Sequence, residues 1–230
     1  MTLPALQLLE KKFEEQIRLF ELKRGAFERK IETHIRRFEE KNLVPLDDGV
    51  RFIRTWIEKP LSIGAVTPSS RVLARAMAAY VDPDTDGPVI ELGPGTGPVT
   101  EALVAHGVDP ARLILVEFDP TFCRLLRKRY PAATVVQGDA YSLKRVLGGH
   151  LAEPAAAVVS GLPLFTKPLR TRLKLLYEAF ALMMPDAPFV QFTYATVAPI
   201  PKVLDRVRSE ASERIWKNIP PARIWVYRKD

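Results

Sequence analysis

A short apolar run that ends in an acid and three alternating glycines has the clearest chemistry in this sequence. It spans residues 89–97 and carries Glu91, Gly93, Gly95 and Gly97. Because glycine has no Cβ, the chain can turn sharply after a strand and bring its backbone N–H groups against a ligand. The pattern therefore predicts a loop that binds a nucleotide-like cofactor at the end of a buried strand.

The spacing of the glycines distinguishes between cofactors. A dinucleotide-binding loop usually has the spacing G-x-G-x-x-G, which would require glycine at the position of Pro98. A second apolar run ends in Glu117, about twenty residues beyond the loop, where a carboxylate can accept hydrogen bonds from both ribose hydroxyls. We therefore expect S-adenosylmethionine, with S-adenosylhomocysteine as product, rather than a nicotinamide, and we expect no metal ion.

Two further strand ends carry candidate binding residues. The run 134–137 leads to Asp139 and Ala140, where the carboxylate can accept from an adenine amino group and a backbone N–H can meet a ring nitrogen. The fourth run ends at Ser160. Since the carboxyl ends of parallel strands meet at one edge of a sheet, we expect these residues to converge on one nucleoside. Taken alone, Asp119 or Asp139 is equally consistent with a helix cap or a turn.

Composition limits the class of protein. The 230 residues are 47% hydrophobic, enough for one or two domains with a substantial core. The single cysteine, Cys123, excludes an internal disulfide. No run approaches the roughly 18 apolar residues of a spanning helix, and the N-terminus does not resemble a signal peptide. We expect a cytoplasmic protein, whose net charge of +7 favours an anionic partner such as RNA or an acidic lipid surface.

Residues 1–45 and 46–230 differ in composition and predict two domains. Apolar residues recur in the first region at three- and four-residue steps, which predicts a long amphipathic helix. Its phenylalanines and flanking basic pairs suit a helix lying on an anionic membrane. Packing on the protein's own core, or self-association as a short coiled coil, is the alternative. The apolar residues are Leu6, Leu9, Phe13, Ile17, Phe20, Phe27, Ile31, Ile35 and Phe38.

The second region predicts an α/β domain with a doubly wound parallel sheet, because continuous apolar runs alternate with helical segments. The predicted parallel strands lie near residues 89–93, 112–118, 134–138, 155–160 and 187–194. Two last strands, predicted at 214–216 and 223–227, are too close together for a helical crossover and indicate a hairpin. A Rossmann-like seven-stranded sheet with one reversed strand resembles the class I methyltransferases.

Four motifs together resemble bacterial phospholipid N-methyltransferases: residues 63–70, 89–97, 160–164 and 191–194. The resemblance implies stepwise methylation of phosphatidylethanolamine toward phosphatidylcholine, with S-adenosylmethionine, by an enzyme peripherally associated with the inner face of the cell membrane.

The same resemblance assigns cofactor positions residue by residue. Glu91, Gly93, Gly95 and Glu117 match the family's cofactor-binding residues. Residues Thr67, Ser69 and Ser70 fall where a loop and a helix start could hold the methionine part of the cofactor. Hydroxyls at such a place also make ordinary N-caps.

The stretch that begins at Ser160 separates two substrate classes. Adenine N6-methyltransferases of ribosomal RNA, also similar in the glycine loop, have an amide or acid at its start and an aromatic after its proline, which hold a flipped base. In this sequence the stretch instead contains Ser160, Leu162, Pro163 and Leu164. We therefore place Leu162 and Pro163 in a lipid substrate site and expect no nucleic acid partner.

The reaction requires an amine without its proton, because a free aliphatic ammonium has no lone pair to attack a methyl group. Tyr194 is the candidate proton acceptor, directly or by relay. Tyr141 could offer a second aromatic face to a methylated ammonium. Two alternatives remain beside the lipid enzyme: an rRNA adenine N6-methyltransferase, and a non-catalytic protein that binds and remodels membranes.

Overall fold

A seven-stranded mixed sheet forms the centre of the computed structural model, which describes residues 68–201, 206–218 and 220–229. The strands are β1 (Val89–Leu92), β2 (Leu113–Glu117), β3 (Thr134–Gln137), β4 (Ala157–Ser160), β5 (Phe189–Thr193), β6 (Val207–Ala211) and β7 (Arg223–Lys229). The α-helices are α1 (Pro68–Ala78), α2 (Pro98–Ala105), α3 (Pro120–Arg129), α4 (Leu143–Leu147) and α5 (Leu169–Phe180). The strand order is β3-β2-β1-β4-β5-β7-β6.

The central strands are mostly apolar because both faces of the sheet are covered. β1, β2 and β4 are buried along their whole length and pair in parallel, as expected for a sheet packed between helix layers. The switch in strand order lies between β1 and β4, so the loops after these strands diverge at the carboxyl edge. That crevice is where ligands bind in open α/β sheets.

Three helices begin at prolines, whose missing N–H costs nothing in a first turn, and α1 is the first of them, at Pro68. α2 begins at Pro98 after the glycine loop, and α3 begins at Pro120 after Asp119. Oδ1 of Asp119 accepts hydrogen bonds from the backbone N–H groups of Thr121, at 2.6 Å, and Phe122, at 3.3 Å. Asp119 is therefore a helix cap.

The antiparallel end confirms the reversed strand and corrects the position of its partner. β7 pairs antiparallel with β5 and with β6. The first hairpin strand is Val207–Ala211, so our placement at residues 214–216 was wrong, and Ile215 forms an isolated bridge with Ala222 instead. β6 was not predicted because four of its five residues are exposed, so this edge strand has no apolar pattern.

One hydrophobic cluster joins α1, α2 and α3 to a face of the sheet. Its fully buried members include Met77 from α1, Leu103 from α2 and Leu126 from α3, packed on strand residues such as Val159 and Val190. This packing fixes α2, and hence the end of the glycine loop, against the sheet.

The predicted amphipathic helix, the boundary near residue 45 and Thr67 all lie outside the described residues. Within the described part of the chain, every helix is too short or too polar to cross a bilayer.

Candidate cofactor and substrate site

The glycine loop between β1 and α2 has the backbone that its sequence predicts. Gly93, Gly95 and Gly97 all have positive φ angles, of 68°, 57° and 86°. A Cβ on Gly93 would lie 2.9 Å from Leu162 Cδ2, whereas a Cβ on Gly95 would meet nothing within 4 Å. The loop therefore needs glycine for its conformation, and at Gly95 its backbone borders open space in which a ligand can approach.

Glu117 joins the end of β2 to this loop. Its Oε2 accepts a hydrogen bond from the Gly95 N–H at 2.9 Å, and its Oε1 accepts one from the Asp119 N–H at 2.9 Å. Each carboxylate oxygen has a further lone pair, so Glu117 can accept ribose hydroxyls while holding the loop in place. The carboxylate and the open space at Gly95 suit the nucleoside part of S-adenosylmethionine.

Glu91 lies beneath the loop. Its side chain is buried, and Oε2 accepts a hydrogen bond from the Thr100 hydroxyl at 2.7 Å. Burial raises the pKa of Glu91 to about 8, although hydrogen bonds from Thr100 oppose the shift. Glu91 is therefore mostly neutral at pH 7, and it ties the loop to the first turn of α2. Thr100, a buried hydroxyl nine residues beyond its partner, was not predicted from the sequence.

The end of β3 lies beside Glu117, because the Gly138 N–H donates to the Glu117 carbonyl at 2.9 Å. Asp139 Oδ1 accepts from the Tyr141 N–H at 2.9 Å and caps a 3₁₀ turn, in which Ala140 is buried. The structure thus brings Asp139 and Ala140 next to the predicted ribose position and also gives Asp139 the capping role.

Phe118 is a candidate that the sequence analysis missed. It follows Glu117 directly, and 74% of its surface is exposed. An exposed aromatic ring beside a carboxylate that is predicted to hold ribose can stack on a nucleobase. The available signal was an aromatic residue placed immediately after the acid of a strand.

The loop after β4 closes the other side of the site. The Gly161 N–H donates to the Leu92 carbonyl at 2.8 Å, and the buried Ser160 hydroxyl accepts from the Leu162 N–H at 3.4 Å. Leu162 packs against Gly93, so an apolar side chain borders the glycine loop. Pro163 begins the following 3₁₀ turn, where its carbonyl accepts from the Thr166 hydroxyl at 2.7 Å.

Gln191 clamps this loop. It pairs in register with Ser160, and its Nε2 donates to the carbonyls of Leu162, at 3.0 Å, and Phe192, at 2.8 Å. Two carbonyl partners fix the orientation of the amide, which leaves Oε1 buried without a partner among the described residues. Gln191 belongs to a motif noted in the sequence, but its contact with Leu162 depends on strand register and was not predicted.

Tyr194 lies just beyond β5. Its ring meets Phe192 edge to face, with the two centroids 5.4 Å apart, and its carbonyl accepts from the Arg214 guanidinium at 3.2 Å. Burial raises the pKa of the Tyr194 hydroxyl, and a hydrogen bond to the Asn218 side chain partly opposes the shift. The phenol therefore keeps its proton at neutral pH and can act only as a relay. These contacts link Tyr194 to the β6–β7 connection rather than to the glycine loop.

Tyr141 has a buried hydroxyl without a partner in the described part of the chain. Burial, followed by the nearby Asp139 carboxylate, raises the pKa of this hydroxyl. The Lys167 ammonium lies 5.0 Å from the centroid of the Tyr141 ring. One face of the Tyr141 ring, which we predicted to contact the substrate, therefore already lies against a cation.

Ser69 and Ser70 lie in the first turn of α1, and their side chains are outside the described part of the chain.

The chain is similar in sequence to two kinds of methyltransferase. No family model matches the chain. An ornithine lipid N-methyltransferase from Singulisphaera acidiphila is 29% identical over 191 residues, which cover 80% of this chain and 97% of that protein. A ribosomal RNA small subunit methyltransferase A from a Synechococcus strain is 37% identical over 92 residues, which cover 39% of this chain and only 30% of that protein.

Solved structures agree on the fold. The N-methyltransferase NodS from Bradyrhizobium japonicum superposes with a TM-score of 0.57 at 12% identity, covering 71% of this chain and 98% of that one. An O-methyltransferase from Bacillus cereus, in complex with SAH, has a TM-score of 0.51 at 13% identity, covering 84% and 96%. The sheet order, the glycine loop and these relatives lead to one conclusion: the chain has the class I methyltransferase fold, takes S-adenosylmethionine as its cofactor and resembles a bacterial lipid N-methyltransferase.

Proposed function

We propose that this enzyme methylates the primary amine of a membrane lipid, with phosphatidylethanolamine converted stepwise toward phosphatidylcholine. The observation that carries the proposal is the apolar loop after β4, in which Leu162 packs against Gly93. A base-methylating site would need polar acceptors and a stacking ring there. An aliphatic amine on a lipid needs neither. The ornithine lipid enzyme, which also acts on an aminolipid, matches this chain along most of its length.

The chain's contribution is to place the reactants and to exclude water. Bound S-adenosylmethionine supplies an electrophilic methyl group on a sulfonium. Glu117 and the Gly95 backbone orient the nucleoside, while Glu91, largely neutral, supports the loop without adding a charge beneath it. Leu162 and Pro163 form an apolar wall on the acceptor side. The amine loses its proton to water or through the Tyr194 hydroxyl acting as a relay.

Cations near the β4 loop suit the lipid phosphate. Lys167 is exposed and follows Pro163 by four residues, and Arg170 is exposed in the first turn of α5. Arg172 is less available, because its guanidinium donates to the Pro199 carbonyl at 2.5 Å and lies 5.1 Å from the centroid of the Phe165 ring. We assign phosphate binding to Lys167 and Arg170.

The proposal places the enzyme at the inner face of the cell membrane, held by the amphipathic segment in residues 1–45. The phenylalanines and basic pairs of that segment support this assignment. Deleting residues 1–45 is expected to weaken binding to anionic vesicles. A truncated protein that binds vesicles and methylates lipid as well as the full chain would instead assign the segment to packing or self-association.

The experiment that tests the activity uses S-adenosylmethionine labelled in its methyl group. Anionic vesicles carry phosphatidylethanolamine in one reaction and ornithine lipid in another, and deproteinised ribosomal RNA is offered separately. Glu117→Ala is the control for a functional cofactor site. We expect label on lipid with the full chain and little with the variant. The choice between the two lipids then defines the head group.

Label on RNA adenine would overturn the lipid proposal and favour the second candidate. That candidate is supported by the 37% identity to an rRNA methyltransferase, although the match covers only 39% of this chain. Binding of S-adenosylhomocysteine, measured by calorimetry, tests the non-catalytic alternative. A protein that only remodels membranes has no need of the Glu117–Gly95 contact and would bind this ligand weakly.

A further inference from the structure

Large apolar side chains are exposed at the edge of the sheet where the cofactor loop lies. Among the described residues the exposed ones are Phe118, Leu125, Tyr177, Val197 and Trp216. Phe118 follows β2, Val197 follows β5 and Trp216 follows β6. Because β5 and β6 both run antiparallel to β7, the β6–β7 connection leaves the sheet at the same carboxyl edge as the glycine loop. Three of these five side chains therefore share one edge.

Trp216 is held outward by an ordered turn. The ring is 71% exposed, although backbone hydrogen bonds hold the residues on either side of it. The Ile215 N–H donates to the Ala222 carbonyl at 2.7 Å, and the Asn218 N–H donates to the Ile215 carbonyl at 3.2 Å. The buried Asn218 side chain also donates to the Pro220 carbonyl at 2.7 Å. The turn thus presents to solvent the side-chain type with the largest apolar surface, and tryptophan is enriched at interfaces where one end of the ring is apolar and the other is wet.

Basic residues flank Trp216 in the sequence, and one of them lies against its ring. The Arg214 guanidinium lies 5.8 Å from the Trp216 ring centroid, and Lys217 is exposed directly after it. Glu213 is the single carboxylate between residues 212 and 222. Two more exposed cations, Lys167 and Arg170, follow β4, which ends at the same edge of the sheet. A tryptophan flanked by arginine and lysine suits the boundary between lipid head groups and acyl chains, where the ring is amphipathic and the cations meet phosphates.

We propose that the described part of the β6–β7 connection, residues 212–218 and 220–222, is a membrane-docking element for an anionic phospholipid bilayer. Trp216 inserts at head-group depth, and Arg214 and Lys217 contact lipid phosphates. Docking in this way turns the carboxyl edge, with the glycine loop and Leu162, toward the bilayer, so that a head group reaches the site without the lipid leaving the membrane. This inference rests on the proposed lipid substrate and adds a contact separate from residues 1–45.

The first test compares the full chain with Trp216→Ala for binding to vesicles of phosphatidylglycerol and phosphatidylcholine. We expect an affinity about tenfold lower or weaker still, because a tryptophan side chain buries a large apolar area. Leu125→Ala, which trims an exposed apolar side chain on α3, is the matched control and should stay within about twofold. Equal affinity of Trp216→Ala and the full chain would overturn the docking proposal.

Two further measurements separate docking from folding and from catalysis. Trp216→Phe keeps an aromatic ring, and we expect it to bind vesicles but to lose part of the fluorescence quenching caused by lipids brominated near the head group. Unchanged quenching would contradict insertion. Methyl transfer to a short-chain, water-soluble aminolipid should be the same in Trp216→Ala and the full chain, whereas transfer to vesicles should fall.

An equal loss on both substrates would overturn the proposal and place Trp216 in the site itself. Should the full chain methylate no aminolipid, the proposed function fails, yet the vesicle affinities still decide docking. Binding to RNA that depends on Trp216, in the absence of vesicle binding, would replace the bilayer with a nucleic acid partner.

Discussion

The two halves of the site are built from different interactions. The cofactor half, formed by the loops after β1, β2 and β3, is held by backbone N–H groups that donate to the Glu117 and Asp139 carboxylates. The proposed substrate half, formed by the loops after β4 and β5, consists of apolar and cationic side chains, and Gln191 holds the β4 loop through the Leu162 carbonyl. The first half has a geometry set by main-chain constraints. The second depends on side chains that can change with the substrate.

Removing Glu117 should give the largest effect, because one carboxylate fixes Gly95 and is also the proposed acceptor for the ribose hydroxyls. We expect Glu117→Ala to weaken binding of S-adenosylhomocysteine by about 10²-fold or more, since hydrogen bonds to a charged group each contribute about 1.5–3 kcal/mol. Calorimetric titration measures this affinity.

Glu117→Gln is the matched variant, because its amide oxygen still accepts but carries no charge. Its affinity should lie between those of Glu117→Ala and the natural chain. An affinity of Glu117→Ala within about threefold of the natural chain would show that the nucleoside lies elsewhere at the edge.

Alanine substitutions at Gly93 and Gly95 should affect the two halves of the site differently. Both Gly93 and Gly95 have positive φ, so alanine costs about 1–2 kcal/mol of stability at either position. At Gly95 the new methyl group enters the open space, and we expect weaker cofactor binding. At Gly93 it meets Leu162 Cδ2 at 2.9 Å and displaces that side chain, so we expect a higher KM for the lipid amine.

Steady-state kinetics, with each substrate varied in turn, test this crossed pattern. The comparison between halves fails if both variants raise the KM for S-adenosylmethionine equally and leave the KM for the amine unchanged. Thermal unfolding serves as the control, because the shared backbone cost should lower the Tm of both proteins by a similar amount.

The two halves also differ in how far the sequence predicts them. The turn of the glycine loop and the parallel strands were predicted correctly, since positive φ selects glycine and buried strands produce continuous apolar runs. Glu117 ends β2 as expected, and its contact with the ribose stays a prediction. β6 was misplaced because an exposed edge strand lacks that pattern. The Gln191–Leu162 and Tyr141–Lys167 contacts join residues that are 29 and 26 positions apart, and only strand register and loop packing bring them together.

Glu91 provides a pH test of the cofactor half. Burial raises its pKa from 4.5 to about 8, so between these values the folded protein keeps a proton that the unfolded chain has lost. The free energy of unfolding therefore falls as pH rises through this window, by at most about 1.4 kcal/mol per pH unit, and levels off above the folded pKa.

Glu91→Gln should remove this contribution while still accepting from Thr100. We expect urea unfolding to show that the natural chain loses about 2 kcal/mol more than the variant between about pH 6 and pH 8. Parallel pH profiles for the two proteins would mean that Glu91 ionises normally in the fold.

Tyr194→Phe should have the smallest effect, and it tests the substrate half most directly. The raised pKa of Tyr194 keeps its hydroxyl protonated, and the ring, not the hydroxyl, packs against Phe192. Water can accept the proton of the amine, so removing the hydroxyl should lower kcat by no more than about threefold.

Tyr194→Ala also removes the ring, and it should lose more activity than Tyr194→Phe. A fall of about 10²-fold in kcat for Tyr194→Phe, with KM and Tm unchanged, would instead make the hydroxyl an obligatory relay, because general acid–base groups contribute effects of that size. The acceptor side would then depend on one fixed polar group, as the cofactor side depends on Glu117.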